Sequence, residues 1–510
     1  MSTVPVSNES IEAPLPAGEP ETPNLAAKAQ SAVIWNTGFN LFRDLLQFVV
    51  MLVLVRLLDA SAYGQFSLVT SIVGFLSIFA FNNFIAYTLQ VQTESETHYQ
   101  EHFTAGAALQ LGMFGIANLV ALILRLLPAY AGVAPLLHVL SFTFVLEWPC
   151  ELRRKMLERA FDWRRLRLIH AIGLVLNAAL AIGLALAGAG VYALVIPGLA
   201  VTLPFIYDLF VTERWRPTFA WSWEKYLPAW QFGLTRIGSG LTVYGKQLLE
   251  AAVLAAALGF GSLGFLTRAI GLAQIFCQKF ATQLMYAIYP ILTRATGAAG
   301  GRVGILILQL VSWAVVPIAI CFGVIAGPLV QMVYGPKWMP VVPLLPWAMA
   351  WGVGASLTHA AYMLLLSRQQ ARRCFMADVA FLVGTGIALV IALPFGTRIY
   401  LIASACVQFA VLALVLHWLS QINVITRKTL FWAIVPAMAS SAIAGGVAFA
   451  VLGLIRRDPD TIILAGLWGT VFALFYLTVL RLLFQRQLED LVRYFPARAF
   501  ISRVLFLESA

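Results

Sequence analysis

A regular series of polar residues interrupts a long apolar stretch between Trp230 and Arg294. In its first half these residues recur at steps of three or four, with Arg236 at their border: Thr235, Ser239, Thr242, Lys246 and Glu250. Such spacing places them on one face of a helix. A charged side chain at membrane depth costs about 3 kcal/mol, so it is kept where it faces protein or water. Cations in a medium of low dielectric bind phosphate strongly. The pattern therefore predicts a cation-lined, water-filled chamber for an anionic substrate.

The second half of the stretch continues the same pattern. Its polar positions are Arg268, Gln274, Gln278 and Lys279. Both halves are long and apolar enough to cross a bilayer. A glycine-rich segment, Gly259–Gly264, separates them and predicts a hinge between two helices.

Lys246 and Glu250 have a second interpretation. They lie four residues apart and would also form a neutralising ion pair that holds helices together. Arg236, Arg268 and Lys279 have no partner at such spacing in their own helices. These three cations favour the chamber over a purely structural role.

The first apolar span carries a further polar group, made of Asn36, Asn40, Arg43, Asp44 and Gln47. All except Asp44 share one helix face. Asp44 either ties Arg43 to a neighbouring helix or fixes it as a substrate-facing cation. We favour the second role, because the first span of repeated transporter lobes lines the cavity.

The sequence offers no site for a metal or an organic cofactor. It contains no HExxH motif and no His, Cys and carboxylate cluster with metal-ligand spacing. It has no P-loop, so we expect no ATP hydrolysis. We also expect a protein that is not an enzyme, because the predicted external loops are too short to carry a catalytic site. Coupling to a proton or sodium gradient stays open.

The composition is that of a membrane protein. Hydrophobic residues make up 61% of the chain and charged residues 11%, whereas soluble proteins carry about 25% charged residues. We predict an all-α polytopic protein with about fourteen transmembrane helices. The net charge of +11 comes mostly from connections after even-numbered spans, as in Arg153–Arg167. This bias indicates cytoplasmic N and C termini, and it does not indicate nucleic-acid binding.

The predicted organisation is two six-helix lobes around a central cavity, followed by two extra helices. Leu58–Gly64 and Leu258–Gly264 resemble each other, which supports such a repeat and is typical of transporters. The predicted parts are a disordered tail (1–28), an N-terminal lobe (29–226), a C-terminal lobe (227–421), spans 13 and 14 (422–484) and a cytoplasmic amphipathic tail (485–510).

Five stretches resemble a known family in the order in which that family has them. They are Leu52–Leu58 with Tyr63-Gly64, Glu151–Trp163, Leu263–Ala269, Tyr289–Arg294 and Tyr334–Trp338. The chain is similar to the Wzx-like polysaccharide transporters, a branch of the multidrug/oligosaccharidyl-lipid/polysaccharide exporter superfamily.

This resemblance implies a V-shaped bundle in the bacterial inner membrane that flips an undecaprenyl-pyrophosphate-linked oligosaccharide repeat unit. Exopolysaccharide or O-antigen assembly would use the product. Related lipid II flippases have an Arg-Asp pair in the first span and cations in the eighth, comparable to Arg43-Asp44 and Arg268. The resemblance implies a polysaccharide polymerase and chain-length or export proteins as partners, and we expect a monomer.

Two other functions are compatible with a polytopic membrane protein of this composition. A multidrug or cation antiporter of the same superfamily would favour acidic cavity residues, against the basic bias seen here. A membrane glycan polymerase or glycosyltransferase would need a sizeable external loop with catalytic residues, and the predicted loops are short.

Overall fold

The computed structural model describes residues 22–91, 97–294, 297–421, 426–454 and 462–492, and these residues form helices and connections without a strand. The first half contains α1 (Thr22–Leu57), α2 (Ala60–Leu76), α3 (Asn82–Ile85), α4 (Tyr99–Leu126), α5 (Ala134–Arg159), α6 (Trp163–Leu186), α7 (Tyr192–Ala200) and α8 (Leu203–Tyr207). The second half contains α9 (Trp223–Ala273), α10 (Lys279–Arg294), α11 (Gly297–Val324), α12 (Ala326–Val333), α13 (Leu345–Ser367), α14 (Ala371–Ala392), α15 (Thr397–Ser420), α16 (Arg427–Leu454) and α17 (Ile462–Val492).

Short 3₁₀- and π-helical segments adjoin several of these α-helices. The 3₁₀ segments are Ser77–Phe79, Ala86–Leu89, Ala131–Val133, Pro336–Val341 and Leu393–Phe395, and the π segments are Asp208–Thr212 and Gln274–Gln278. The second π segment joins α9 to α10, so the second helix of the predicted hairpin runs on to Arg294 without an intervening loop.

Within the described residues, thirteen helical stretches are long and apolar enough to cross a membrane. One of them, Gly240–Met285, has 46 residues and is broken at Gly259, so it supplies two crossings. The all-helical, polytopic architecture predicted from the composition is thereby confirmed.

The break in α9 lies at the first glycine of the predicted hinge. Gly259 has φ 79° and ψ 166°, a left-handed conformation that glycine adopts without a Cβ clash. The residues that follow, Phe260 to Gly264, are helical rather than part of an extended loop. The hinge is therefore a sharp bend between two helices.

The two glycine-containing segments that resemble each other in sequence pack against each other. A Cβ on Gly264 would lie 1.8 Å from the carbonyl oxygen of Ala60, and a Cβ on Gly64 would lie 1.9 Å from that of Phe260. Glycine at both positions thus allows α2 and the second half of α9 to touch through their backbones.

Further contacts close this end of the bundle, which we call the hinge end. The Trp338 indole donates to the Val55 carbonyl at 2.8 Å, and Arg56 donates to the Met332 carbonyl at 2.5 Å. The Trp338 ring also meets the Tyr63 ring edge-on at 5.5 Å between centroids. Residues from both halves of the chain therefore seal the hinge end.

The chain ends differ from the predicted parts. Helix α1 begins at Thr22, inside the segment predicted as a tail, where Ala26, Ala27 and Lys28 favour helix. Helix α17 bends at Phe484 and continues to Val492, beyond the predicted start of the C-terminal tail. Residues 1–21 and 493–510 of the two predicted tails lie outside the described residues.

Candidate functional site

A polar cavity of about 650 Å³ lies at the centre of the bundle. Its walls come from α2, both halves of α9, the Gln274–Gln278 segment, α13, α14 and α15. Hydroxyl and amide groups from several helices face it: Ser67, Thr70, Ser71, Thr242, Gln247, Thr267, Gln274, Gln278, Thr358 and Gln408. Such a lining can hydrogen-bond a hydrated solute inside an otherwise apolar bundle.

Lys246 and Glu250 face this cavity as a pair. Their Nζ and Oε2 atoms are 3.1 Å apart, and both side chains are 13% exposed. The Tyr400 hydroxyl donates to the other carboxylate oxygen of Glu250 at 2.8 Å. Lys246 also lies 4.7 Å from the Phe381 ring centroid. The neutralising ion pair weighed from the spacing is therefore present, and it lies in the cavity wall.

Arg268 lies where the cavity meets the hinge-end seal. Its guanidinium carbon is 4.4 Å from the Tyr63 ring centroid, within the range of a cation–π contact. Its Nε atom is buried without a hydrogen-bond partner among the described residues. Tyr63 in turn packs on Trp338. Arg268 thus has donor capacity for an anion and touches the seal at the same time.

Helix α14, which packs against α9, contributes a carboxylate to the cavity wall that sequence reasoning missed. Asp378 on α14 lines the cavity and accepts a hydrogen bond from the Tyr362 hydroxyl at 3.0 Å. Next to it, Gln408 donates to the Thr358 hydroxyl at 2.9 Å. The cost of a charge at membrane depth, which singled out Lys246, would have singled out Asp378 as well. Thr358 and Tyr362, four apart on α13, carried the same helical spacing signal.

The formal charges of the described lining balance. Lys246 and Arg268 supply two positive charges, while Glu250 and Asp378 supply two negative ones. The predicted cation-lined chamber included Glu250 beside its cations, and Asp378 adds a second carboxylate to the described lining. The prediction rests on residues within one helical hairpin, and Asp378 lies on a separate helix, 84 residues beyond the end of that hairpin at Arg294.

The cavity includes six of the residues predicted from the hairpin, namely Thr242, Lys246, Glu250, Arg268, Gln274 and Gln278. Thr235 is exposed outside the lining and donates to the Phe232 carbonyl of its own helix. The side chains of Arg236 and Ser239 lie outside the described residues.

The polar group of the first span lies elsewhere, and its predicted place in the cavity wall is not observed. Asn36 accepts a hydrogen bond from Arg167 on α6 at 2.5 Å. Asp44 pairs with Arg43 at 3.2 Å and with Lys279 on α10 at 2.7 Å. Asn40 is half-buried and Gln47 is exposed, and neither lines this cavity.

The charged groups of α1 do not line the cavity because they form ion pairs with each other and with α10. Arg43 and Lys279 share the carboxylate of Asp44, so the pair connects the first helix with the second half of the chain. Lys279 accordingly serves as a contact between the two halves rather than as a free cation.

At the ends of three spans, a charged cluster joins α5, α6 and the segment after α8, and Glu213 of this cluster lies just beyond the span Tyr192–Thr212. Arg153 and Arg165 both bind Asp208, at 2.6 and 2.8 Å, and both bind Glu213, at 2.8 and 2.6 Å. Burial acts to raise the pKa of Glu213, but the two arginines outweigh it and hold that pKa below its ordinary value. Glu213 is therefore ionised at neutral pH.

Helices long and apolar enough to span a membrane, arranged around a polar cavity, define a polytopic membrane protein. Two solved structures share this fold. The lipid II flippase MurJ in an inward closed conformation matches with a TM-score of 0.69 over 89% of this chain and all of that chain, at 11% identity. A multidrug resistance MATE family transporter, inward-facing, matches with a TM-score of 0.52 over 75% of this chain and 94% of that chain, at 16% identity.

The chain belongs to the polysaccharide biosynthesis protein family, whose model matches residues 53–343. It is 24% identical to the succinoglycan biosynthesis transport protein ExoT of Rhizobium meliloti over 64% of this chain, which spans 66% of that protein's length. It is 22% identical to the lipopolysaccharide biosynthesis protein WzxC of Escherichia coli over 70% of this chain and 73% of that protein. The resemblance to Wzx-like transporters is thereby confirmed, and these relatives are transport and biosynthesis proteins of polysaccharide pathways.

Proposed function

We propose that this protein flips an oligosaccharide linked to undecaprenyl pyrophosphate from the cytoplasmic to the periplasmic leaflet of the bacterial inner membrane. Exopolysaccharide or O-antigen assembly would consume the product. The observation that carries this proposal is Arg268, a cavity guanidinium without an ion pair among the described residues, in a chain of the polysaccharide biosynthesis family. Guanidinium groups bind phosphate oxygens with two parallel hydrogen bonds.

In the proposed mechanism, Arg268 binds the pyrophosphate while the hydroxyl and amide groups of the cavity hydrogen-bond the sugars. The isoprenoid tail stays in the lipid. A phosphate on Arg268 competes with the Tyr63 ring for the guanidinium, and Tyr63 packs on the Trp338 of the seal. Substrate binding would therefore loosen the hinge end and favour opening there, as alternating access requires.

The remaining parts of the proposal follow the family. The termini are cytoplasmic, the working unit is a monomer, and a polysaccharide polymerase with chain-length or export proteins receives the product. A proton or sodium gradient would drive the cycle without a bound cofactor.

The test measures lipid-linked glycan in cells that lack the protein and in cells that receive a variant. We expect the deletion strain to accumulate undecaprenyl-linked repeat units in the cytoplasmic leaflet. Arg268→Ala should fail to clear them at normal protein abundance, with at least a tenfold loss of flux, because a charged hydrogen bond contributes about 1.5–3 kcal/mol. Arg268→Lys should restore part of the flux.

Arg125→Ala is the matched control, since Arg125 is exposed in the last turn of α4 and does not line the cavity. It should transport like the unmodified protein. If the deletion strain makes no lipid-linked repeat unit at all, the protein acts in synthesis and the proposal is wrong. If Arg268→Ala clears the repeat units normally, the assigned role of Arg268 is wrong.

A multidrug or cation antiporter is the second candidate, because Glu250 and Asp378 place two carboxylates in the cavity. It predicts that deletion sensitises cells to cationic drugs and leaves lipid-linked glycan unchanged. Glu250 is already neutralised by Lys246 and bound by Tyr400, which favours the flippase.

A further inference from the structure

A separate groove lies on the outer surface of the bundle between α1 and α6. Its volume is about 340 Å³, and its walls are mostly aromatic and aliphatic, with Ile34, Trp35, Phe39, Phe42, Leu168 and Ala171. The Ile34, Phe42 and Leu168 side chains are 63%, 40% and 46% exposed. In a membrane this groove therefore opens towards lipid.

Two arginines stand at one end of the groove, in the first turns of α6. Arg164 and Arg167 are three residues apart, so they share a helix face. The Arg167 Nε donates to the Asn36 Oδ1 at 2.5 Å, and its guanidinium lies 5.1 Å from the Phe39 ring centroid. The Arg164 guanidinium lies 6.0 Å from the Trp35 ring centroid. Aromatic contacts thus orient both guanidinium groups at the mouth of the groove.

This pair carries positive charge that no carboxylate contacts directly in the described part of the chain; Glu158 acts on Arg167 only at longer range and is itself paired with Lys155. Arg165, between them in sequence, binds both Asp208 and Glu213. By contrast, neither Arg164 nor Arg167 forms an ion pair within the described part of the chain. The span begins at Trp163, so these charges lie at the level of lipid headgroups.

We propose that this groove binds an anionic glycerophospholipid, with an acyl chain along α1 and α6 and the headgroup phosphate on Arg164 and Arg167. Two cations at a membrane surface attract anionic lipid, and guanidinium groups match phosphate geometry. A zwitterionic lipid brings its own ammonium group and gains less from the pair. The groove and the central cavity have no lining residue in common, so the occupant is a bound membrane lipid and not the transported substrate.

The first test titrates the delipidated full-length protein with phosphatidylglycerol or phosphatidylethanolamine of identical acyl chains and counts bound lipid by native mass spectrometry. We expect tighter binding of phosphatidylglycerol. The double variant Arg164→Gln/Arg167→Gln should lower that affinity about fivefold for each arginine removed and lower phosphatidylethanolamine binding by a smaller factor. Arg302→Gln is the control, because Arg302 is exposed near the start of another span and lines neither cavity.

The second test fills the groove and keeps both arginines. Gly38 lines the groove, and a Cβ at this position would meet no atom within 4 Å. Gly38→Leu should therefore place a side chain in the acyl-chain path without straining α1, and leucine favours helix over glycine. We expect it to weaken binding of both lipids. Gly183→Leu on α6 is the control, since Gly183 is equally open and lies outside this groove.

Three results would overturn the proposal. The first is equal affinity of the unmodified protein for the two phospholipids. The second is unchanged phosphatidylglycerol binding in both the double variant and Gly38→Leu. The third is displacement of phosphatidylglycerol by equimolar undecaprenyl phosphate, which would identify the carrier lipid as the occupant. If the double variant does not fold, the proposal is still tested by the binding of the two phospholipids to the unmodified protein and by Gly38→Leu.

Discussion

Lys246, Glu250 and Tyr400 form one hydrogen-bonded group in the wall of the cavity, although they come from two helices. Their sequence spacing predicted the Lys246–Glu250 contact, because residues four apart meet on a helix. Tyr400 was not predictable in this way, since its place beside Glu250 depends on how α15 packs against α9. Spacing within one helix carries no information on partners from another.

The first prediction concerns this group. Lys246→Met leaves Glu250 with the tyrosine alone and should lower the free energy of unfolding by about 2 kcal/mol, the cost of a poorly compensated polar group. Glu250→Gln added to Lys246→Met should restore most of that stability, because no charge is then left without a partner. Thermal unfolding in detergent measures both effects.

A transport assay distinguishes the two possible roles of the Lys246–Glu250 pair, which are contact with substrate and attachment of neighbouring helices. If Lys246 also contacts substrate, the stable double variant still fails to clear lipid-linked glycan. A double variant that is both stable and active would show that the pair only holds the helices together. A Lys246→Met variant as stable as the unmodified protein would contradict the ion-pair argument.

At the scale of helices, glycine sets how closely α2 and the second half of α9 approach. The sequence showed that Leu58–Gly64 and Leu258–Gly264 resemble each other, and it predicted a hinge that the structure locates at Gly259. It did not show that the two segments touch, because a shared pattern indicates similar local structure and not proximity. Likewise, the polar face of α1 was predictable, but its orientation towards α6 and α10 was not.

The second prediction tests this backbone contact. Gly264→Ala places a methyl group 1.8 Å from the Ala60 carbonyl oxygen, which cannot move without its helix. We expect the free energy of unfolding to fall by about 1–3 kcal/mol, as for other overpacked sites. A cysteine introduced at the hinge end should then react faster with a labelling reagent.

Gly261→Ala is the matched control, three residues earlier in the same helix. A Cβ there meets no atom within 4 Å, so the variant should be as stable as the unmodified protein or slightly more stable. Equal unfolding temperatures for Gly264→Ala and Gly261→Ala would show that close packing at Gly264 does not matter.

At the scale of the whole molecule, two ion pairs tie the halves of the chain together at different depths. Asp44 binds Lys279 at 2.7 Å, and Asp59 pairs with Lys337 at 3.5 Å at the hinge end. Asp44 and Asp59 are fifteen positions apart, most of them in α1, which corresponds to a rise of about 20 Å along a helix. The two contacts can therefore stabilise opposite sides of a rocking motion.

The third prediction uses this pair of contacts as mutual controls. Lys279→Gln should increase the fraction of molecules in which the two halves are separated near Asp44, and Lys337→Gln should increase the fraction in which they are separated at the hinge end. Each change should be at most about fivefold, because partly exposed ion pairs contribute about 0–1 kcal/mol. Distances between paired spin labels on the two halves, measured at each end, report these populations. If both variants increased opening at the same end of the bundle, the two ion pairs would not have separate roles.

Among the described lining residues of the cavity, the equal number of positive and negative groups has a consequence for membrane voltage. Moving one elementary charge across 100 mV changes the free energy by about 2.3 kcal/mol. Lys246 and Arg268 are offset by Glu250 and Asp378, so rocking of the empty lobes carries little net charge through the field. If the cargo is the pyrophosphate-linked oligosaccharide that we propose, the electrical work of a turnover is done on that anion, and the outside-positive potential of a respiring cell would favour its outward passage.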